Sequence, residues 1–280
     1  MADSPRRRPP RGAKAVRSRL DNELVRRGLA ASRTEAAEAI RRGSVTVAGR
    51  PAFKASALVA PAQPIEVDGS ARPFVSRGGE KLAGALDRLG VVPSGRDCLD
   101  AGASTGGFTD VLLKRGASRV IAVDVGYGQL AWDLRTDPRV VVLERTNVRS
   151  LRPEELPFRP DLVVADLSFI SLRAALPALA AVATADAEFV VLVKPQFEAG
   201  HEDVGKGGVV RDPAVWRRVL EAVAERCDEL GLGPAGAGVS PLLGPAGNVE
   251  FFLLARAGRQ GGPLDLETLT REAEALRAAS

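Results

Sequence analysis

At 280 residues the chain has room for about two domains of ordinary size, and 45% apolar with 26% charged residues is the balance of a folded, core-bearing protein, which excludes a fibrous or wholly disordered chain. Two cysteines outside any CxxC pattern, Cys98 and Cys227, and a single histidine, His201, argue against a disulfide framework and against a metal site; no metal is expected, and a reducing cytoplasm fits best. The net charge of +4 is unevenly divided: residues 1–75 hold 15 Lys/Arg against 7 Asp/Glu (net +8), and residues 76–280 hold 24 against 28 (net −4), the pattern of a polyanion-binding module attached to a separate domain.

Residues 1–15 are rich in Arg and Pro without an apolar segment, so they predict a disordered basic tail and not a secretory signal. From Val16 the pattern turns regular. Leu20, Leu24 and Val25 recur at helical spacing up to Gly28, and Ser32 with Glu35 reads as a capping box opening a second helix that Gly43 ends. A short alternating strand, Ser44 to Val47, follows, then a turn at Ala48 to Arg50 and two further short strands near Leu58 and Ile65–Val67. The result is a small α+β domain over 16–67. Around its helices Arg19, Arg26, Arg27, Arg33, Arg41 and Arg42 are candidate contacts to a polyanion. Gly69 and Pro73 then break regular structure, and residues 68–75 read as a linker.

Beyond the linker, strand and helix signals alternate. A helix is expected from Gly79 to Gly90, and strands at Asp97–Ala101, Arg119–Asp124, Val140–Leu143, Leu162–Asp166 and Phe189–Lys194. This rhythm implies a doubly wound parallel sheet whose runs at 162–165 and 189–193 are buried on both faces. Pro213 to Leu230 predicts a helix, and Ala235–Val239 with Glu250–Ala255 an edge hairpin closed by a tight turn. Residues 76–258 form this domain, and 259–280 a C-terminal tail or helix. The longest apolar tract, Ala174 to Val193, contains Pro177, Asp186 and Glu188, so no membrane span is expected.

Ligands bind such sheets at the carboxyl ends of the strands. Those ends carry Asp100, Asp124, Asp166 and Lys194. The loop after the first strand, Asp100 to Thr109, is glycine-rich but places Ser104 where a GxGxxG loop has its middle glycine. Asp124, 22 residues after Gly102, can accept both hydroxyls of a ribose. A nucleotide ligand follows, with NAD and S-adenosylmethionine both open. The acid at Asp100, placed to meet an ammonium group, and the reversed final strand lean toward the second. The glycine-rich segment 196–212 follows the fifth strand and is a candidate to close over RNA; His201 within it is expected to be exposed.

Residues 19–50, RLDNELVRRGLAASRTEAAEAIRRGSVTVAGR, resemble the small RNA-binding module of the ribosomal protein four type, which implies that the polyanion at its arginines is RNA. The segments SRGGEKL (76–82), DAGASTGGFTDVLL (100–113), VDVGYGQLAW (123–132), ERTN (144–147), VVADLSFISL (163–172), LVKPQFE (192–198) and GPAGNVEFFL (244–253) resemble the TlyA family, whose catalytic domain is related to the FtsJ family. The resemblance implies a Rossmann-like α/β methyltransferase domain using S-adenosyl-L-methionine. It implies a cytoplasmic 2′-O-methyltransferase of a cytidine ribose in small- or large-subunit ribosomal RNA. The family's catalytic Lys-Asp-Lys-Glu set falls on Lys81, Asp166, Lys194 and Glu250. Cofactor contacts are implied at Asp100, Gly102, Ser104, Gly106, Gly107, Phe108, Asp124, Asn147 and Asp166. The partners implied are ribosomal RNA or ribosomal subunits. The family's association with haemolysis has no basic amphipathic helix or apolar span to support it. The competing expectation is a ribosome-assembly factor that binds RNA without catalysis.

The reaction so implied is an in-line displacement at a methyl group by a ribose 2′-oxygen. Alignment of the reacting atoms can supply up to about 7–11 kcal/mol. Lys194 is the residue expected at the hydroxyl. It would act either as a neutral base or as a cation that steadies the developing alkoxide.

Overall fold

The computed structural model describes residues 17–30, 32–41, 43–67 and 73–279; the expected tail, residues 68–72 of the expected linker, and Arg42 lie outside them. The chain divides into two compact units, Met1–Arg72 and Pro73–Ser280.

The first unit runs β1 (Ser18–Arg19), α1 (Leu20–Arg26), α2 (Arg33–Arg41), β2 (Val45–Val47), β3 (Arg50–Pro51), β4 (Leu58–Val59) and β5 (Ile65–Val67). Leu20, Leu24, Ala36, Ile40, Val45, Val59 and Ile65 make its core, as the 3.6-residue spacing of the helices requires. Ser32 Oγ accepts from Glu35 N at 3.1 Å, one half of the expected capping box. The β1–β4 pair was not foreseen: two-residue strands have too few positions to show a period of two.

The second unit continues with α3 (Arg77–Leu89), β6 (Asp97–Ala101), α4 (Gly107–Lys114), β7 (Arg119–Val123), α5 (Trp132–Arg135), β8 (Val140–Leu143), β9 (Leu162–Ala165), α6 (Leu172–Val182), β10 (Glu188–Val193), α7 (Pro195–Glu198), α8 (Pro213–Glu229), β11 (Leu232–Val239), β12 (Phe251–Ala257) and α9 (Leu266–Ala278). Its seven strands lie in the order β11-β12-β10-β9-β6-β7-β8. The pairs from β10 to β8 are parallel, and β12 is antiparallel to both of its neighbours. Alternate residues of each central strand feed opposite apolar layers. Val163 and Val191 belong to one layer, with Trp216 and Phe251; Val164 and Val190 belong to the other, with Phe108 and Phe252.

Two expectations change. The last strands do pair, but an eleven-residue connection, 240–250, replaces the tight turn between them. The second unit also starts earlier than residue 76. Phe74 packs where a Cβ on Gly79 would stand 2.4 Å from it, and Val75 N donates to Asp110 Oδ2 at 2.9 Å. Among the described residues no helix is long and apolar enough to cross a membrane.

Candidate active site

The carboxyl ends of β6, β7, β9 and β10 and the start of β12 meet at one rim. From β6 the chain turns into the glycine loop. Gly102 has φ +85°, and a Cβ there would come within 2.4 Å of the Asp166 carbonyl oxygen, so only glycine lets the loop lie against the end of β9. Gly106, at φ +95°, caps α4; a Cβ there would strike Leu134. Ser104 takes a left-handed φ of 47° despite its side chain. Its N–H donates to Asp124 Oδ2 at 2.8 Å, and Gly126 N donates to Asp124 Oδ1 at 2.6 Å. The acid therefore holds the two turns together. Between them lies a shallow open cleft bordered by Ala122, Leu130 and Val142 on its apolar side and by Ser104, Asp124, Gln129 and Glu144 on its polar side. An apolar wall beside Asp124 suits a nucleoside lying along the cleft: a ring against the wall, ribose hydroxyls on the carboxylate.

Four of the expected cofactor contacts have partners within the fold. Asp100 has no exposed surface; its Oδ2 accepts from Thr109 N at 2.9 Å and Thr109 Oγ1 at 2.7 Å, so it braces the first turn of α4. Burial, with Asp166 nearby, lifts its carboxyl to about 7. Phe108 is a core residue, with its ring centroid 6.1 Å from that of Phe252. Gly107 is buried against Ser76, whose Oγ would lie 2.2 Å from a Cβ at that position. Asn147 is exposed beyond β8, where its Oδ1 accepts from Arg149 N at 3.1 Å.

The four charged residues singled out by the sequence come together in two pairs. Lys81, on the inner face of α3, places Nζ 2.5 Å from Glu250 Oε2, and both side chains are buried. Gly244 makes room for this carboxylate; a Cβ there would stand 2.5 Å from Glu250 Oε1. Lys194 Nζ lies 2.5 Å from Asp166 Oδ1 and donates to Ser168 Oγ at 2.9 Å. The sheet register joins the pairs. Val193 is opposite Phe251, so Lys194 and Glu250 take the next rung, about 5 Å apart at Cα. Asp166 N donates to the Ala101 carbonyl, which ties the second pair to the glycine loop. Asp100 Oδ1, Asp166 Oδ1 and Glu250 Oε1 are three of the six buried side-chain atoms without a hydrogen-bond partner among the described residues. The close Asp166–Lys194 contact is thus an ion pair off the hydrogen-bond line. Acceptors in this state are concentrated where the sheet rim would meet a ligand.

Other parts of the rim escaped the sequence reading. Phe169 is 89% exposed with φ 64°, and its ring lies 5.4 Å from that of Phe197. Glu198 is buried and reaches back to α6, accepting from Leu172 N, from Ser171 Oγ at 2.7 Å and from Arg173 Nε at 3.2 Å. A Glu ending a short helix has no local feature announcing a partner 26 residues away. Val210, near the end of the glycine-rich segment, is pinned: Asn248 Oδ1 accepts from its N–H at 2.9 Å, and Trp216 Nε1 donates to its carbonyl at 3.2 Å. His201 is exposed.

In the first unit, two buried acids organise the candidate RNA-binding arginines. Asp21 accepts from Arg19 Nε at 3.0 Å and from Arg33 Nη2 at 3.3 Å, and Arg19 above all holds its carboxyl down at about 2. Glu23 accepts from Arg26 Nε and from Arg27 Nε, both at 2.8 Å, and lies below the usual carboxylate range for that reason. Arg27 also donates to the carbonyls of Gln63 and Pro61, so its guanidinium is a structural clasp. Arg26, Arg33 and Arg41 keep about half or more of their side chains exposed.

Residues 74–257 match the FtsJ-like methyltransferase family, and residues 18–63 match the S4 domain. The chain is 59% identical over 243 residues, 86% of its length and 91% of the relative's, to the 16S/23S rRNA (cytidine-2′-O)-methyltransferase TlyA of Mycobacterium tuberculosis. It is 38% identical over 235 residues, 84% of its length and 98% of the relative's, to Hemolysin A of Brachyspira hyodysenteriae. Among solved structures, a hemolysin-named protein of Streptococcus thermophilus superposes with a TM-score of 0.74 at 34% identity, covering 95% of this chain and 98% of that one.

Proposed function

This chain belongs to the FtsJ-like methyltransferase family, and we propose that it is an S-adenosylmethionine-dependent 2′-O-methyltransferase acting on a cytidine ribose of ribosomal RNA in the cytoplasm. The observation that carries this reading is the convergence of Lys194–Asp166 and Lys81–Glu250 on the rim beside the glycine loop. The 59% identical relative, whose name specifies that reaction, supports the substrate.

Asp124 would hold the ribose of S-adenosylmethionine, with Ala122, Leu130 and Val142 along its ring. The bound cofactor supplies a methyl group already activated by a positively charged sulfur. The chain's own task is then to align an oxygen and manage one proton. Lys194 meets the 2′-hydroxyl, as its base or as the cation that steadies the developing charge, with Asp166 holding its Nζ. The Lys81–Glu250 pair, with Glu250 on the same rung as Lys194, fixes the charge balance around it. Phe169, exposed above this group, offers a flat apolar face on which an unstacked base can lie. In the first unit, Arg26, Arg33 and Arg41 contact RNA phosphates.

The test is methyl transfer from labelled S-adenosylmethionine to purified ribosomal subunits, followed by mapping of 2′-O-methyl positions. Modification of a cytidine ribose is expected. RNA binding without transfer would leave a ribosome-assembly factor instead.

A further inference from the structure

Ser168 stands two residues beyond Asp166 on the connection from β9 to α6, and it is exposed. The Lys194 ammonium nitrogen is tetrahedral. One of its directions is its own carbon and one donates to Ser168 Oγ at 2.9 Å, while Asp166 Oδ1 lies 2.5 Å away, off the hydrogen-bond line. A single ion pair leaves an ammonium free to turn about its last carbon–nitrogen bond. A hydrogen bond to Ser168 beside the ion pair removes that freedom and sets where the remaining directions point. Resting on the role given to Lys194 above, we infer that Ser168 is a positioning residue: with Asp166 holding the charge, it turns Lys194 Nζ so that one remaining direction faces the substrate hydroxyl.

The arrangement works in either protonation state. A neutral amine that donates to Ser168 Oγ can turn its lone pair to the substrate and accept the 2′-hydroxyl proton. A charged amine points an N–H there instead and steadies the oxygen, and the hydroxyl proton leaves to water. In both cases the oxygen forms its bond to the methyl carbon as the carbon–sulfur bond breaks, its electron pair leaving with sulfur.

Ser168 is held where it can do this. Phe169 follows it in a left-handed conformation, with its ring against Phe197. Beyond that, the buried Glu198 accepts from Ser171 Oγ and Leu172 N. The Asp166–Leu172 connection is therefore fastened to the Lys194–Glu198 segment at both of its ends and between them. An exposed serine in the middle of a doubly fastened loop presents its hydroxyl from a fixed place.

Ser168→Thr and Ser168→Val in the full chain separate the hydroxyl from its shape, since Thr and Val are nearly isosteric. Losing a hydrogen bond to a charged group lowers kcat on the order of tenfold in the Val variant. KM for the RNA substrate and Kd for S-adenosylmethionine stay within about twofold, and the Thr variant keeps most of wild-type kcat. By lysine ¹⁵N NMR, the Lys194 Nζ–H signal, assigned by its loss in Lys194→Arg, persists in wild type and Thr and is lost to solvent exchange in Val. Equal kcat and equal signals in the two variants would overturn the inference. A wild-type protein that methylates no ribosomal RNA would count against the proposed function alone, and the NMR comparison would still decide the placement of Ser168.

Discussion

The two ends of the seven-stranded sheet carry similar charges in opposite conditions. At the amino ends of the parallel strands, Arg96 donates from Nε to Asp161 Oδ1 at 2.7 Å and from its other nitrogens to Glu188 and to the Asp161 carbonyl. Arg256 completes the chain with Glu188 at 2.8 Å, and Arg119 pairs with Asp97. Each guanidinium and carboxylate there has its counterpart, and together they stitch β6, β9, β10 and β12. At the carboxyl ends, Asp100, Asp166 and Glu250 each keep one buried oxygen without a hydrogen bond. The difference separates two uses of charge. A satisfied network stabilises the fold, whereas an incompletely satisfied one is held in place by the fold and keeps capacity for a ligand.

The contrast is broken most directly at Lys194. Lys194→Ala is expected to lower methyl transfer on the order of 10³-fold, with S-adenosylmethionine binding and the melting temperature little changed. Isotope transfer, calorimetry and thermal melts would check the three together. A large fall in melting temperature would mean that the carboxyl rim is structural after all. Lys194→Arg sharpens the result: partial activity identifies a need for charge alone, and near-complete loss identifies a neutral amine.

The second expected effect is on stability against pH. Asp100 titrates near 7 in the folded protein because it is buried, against about 4 when unfolded. Its folded pKa is raised, so its favourable contribution is fully present below about pH 4 and is lost as pH rises through about 7. The loss is on the order of 4 kcal/mol across that window. Asp100→Asn should remove this slope, and the difference between variant and wild-type melting curves from pH 4 to 8 would show it. A constant difference would mean that Asp100 is charged throughout.

At the opposite end, Arg96→Met leaves Asp161 and Glu188 without their shared partner. A fully buried pair would lose more, but Arg96 is 20% exposed, so about 2 kcal/mol is expected. That corresponds to a fall of about 4–8 °C in melting temperature for a domain of this size. Transfer activity at 25 °C should be unchanged. Lost activity without lost stability would contradict the division of labour between the two ends.

Much of this contrast could be read from the chain, and part could not. The apolar runs at 162–165 and 189–193 and the charges that end them are local signals, so the strands and the rim at Asp166 and Lys194 were legible. Lys81 and Glu250 are 169 residues apart, and only the motif resemblance related them before the structure did. The burial of Asp100 and Phe108 was not legible because a loop's sequence does not say which side chains turn inward. Asp100 faces Thr109 behind the loop, and Phe108 falls on the buried side of α4. Glu198 and Ser168 were missed for a related reason: each acts across a junction between two loops, and neither loop has a period to read.

The same distinction between engaged and available charge recurs, on a smaller scale, in the first unit. Arg27 binds Glu23 and two carbonyls and keeps 20% of its side chain exposed, whereas among the described residues Arg41 pairs with Glu38 alone, at 4.0 Å, and keeps 48%. Both are arginines on neighbouring helices, and sequence alone ranks them equally as RNA contacts. The structure ranks them apart. Arg41→Gln should reduce the slope of log affinity against log salt by about one and weaken RNA binding uniformly, with stability unchanged. Arg27→Gln should leave the salt slope nearly unchanged and destabilise the unit, since Glu23 stays buried with one partner fewer. Binding titrations from 50 to 200 mM salt, beside melting curves of the same two variants, would test the ranking; equal slope changes would show that exposure does not decide which arginine meets phosphate.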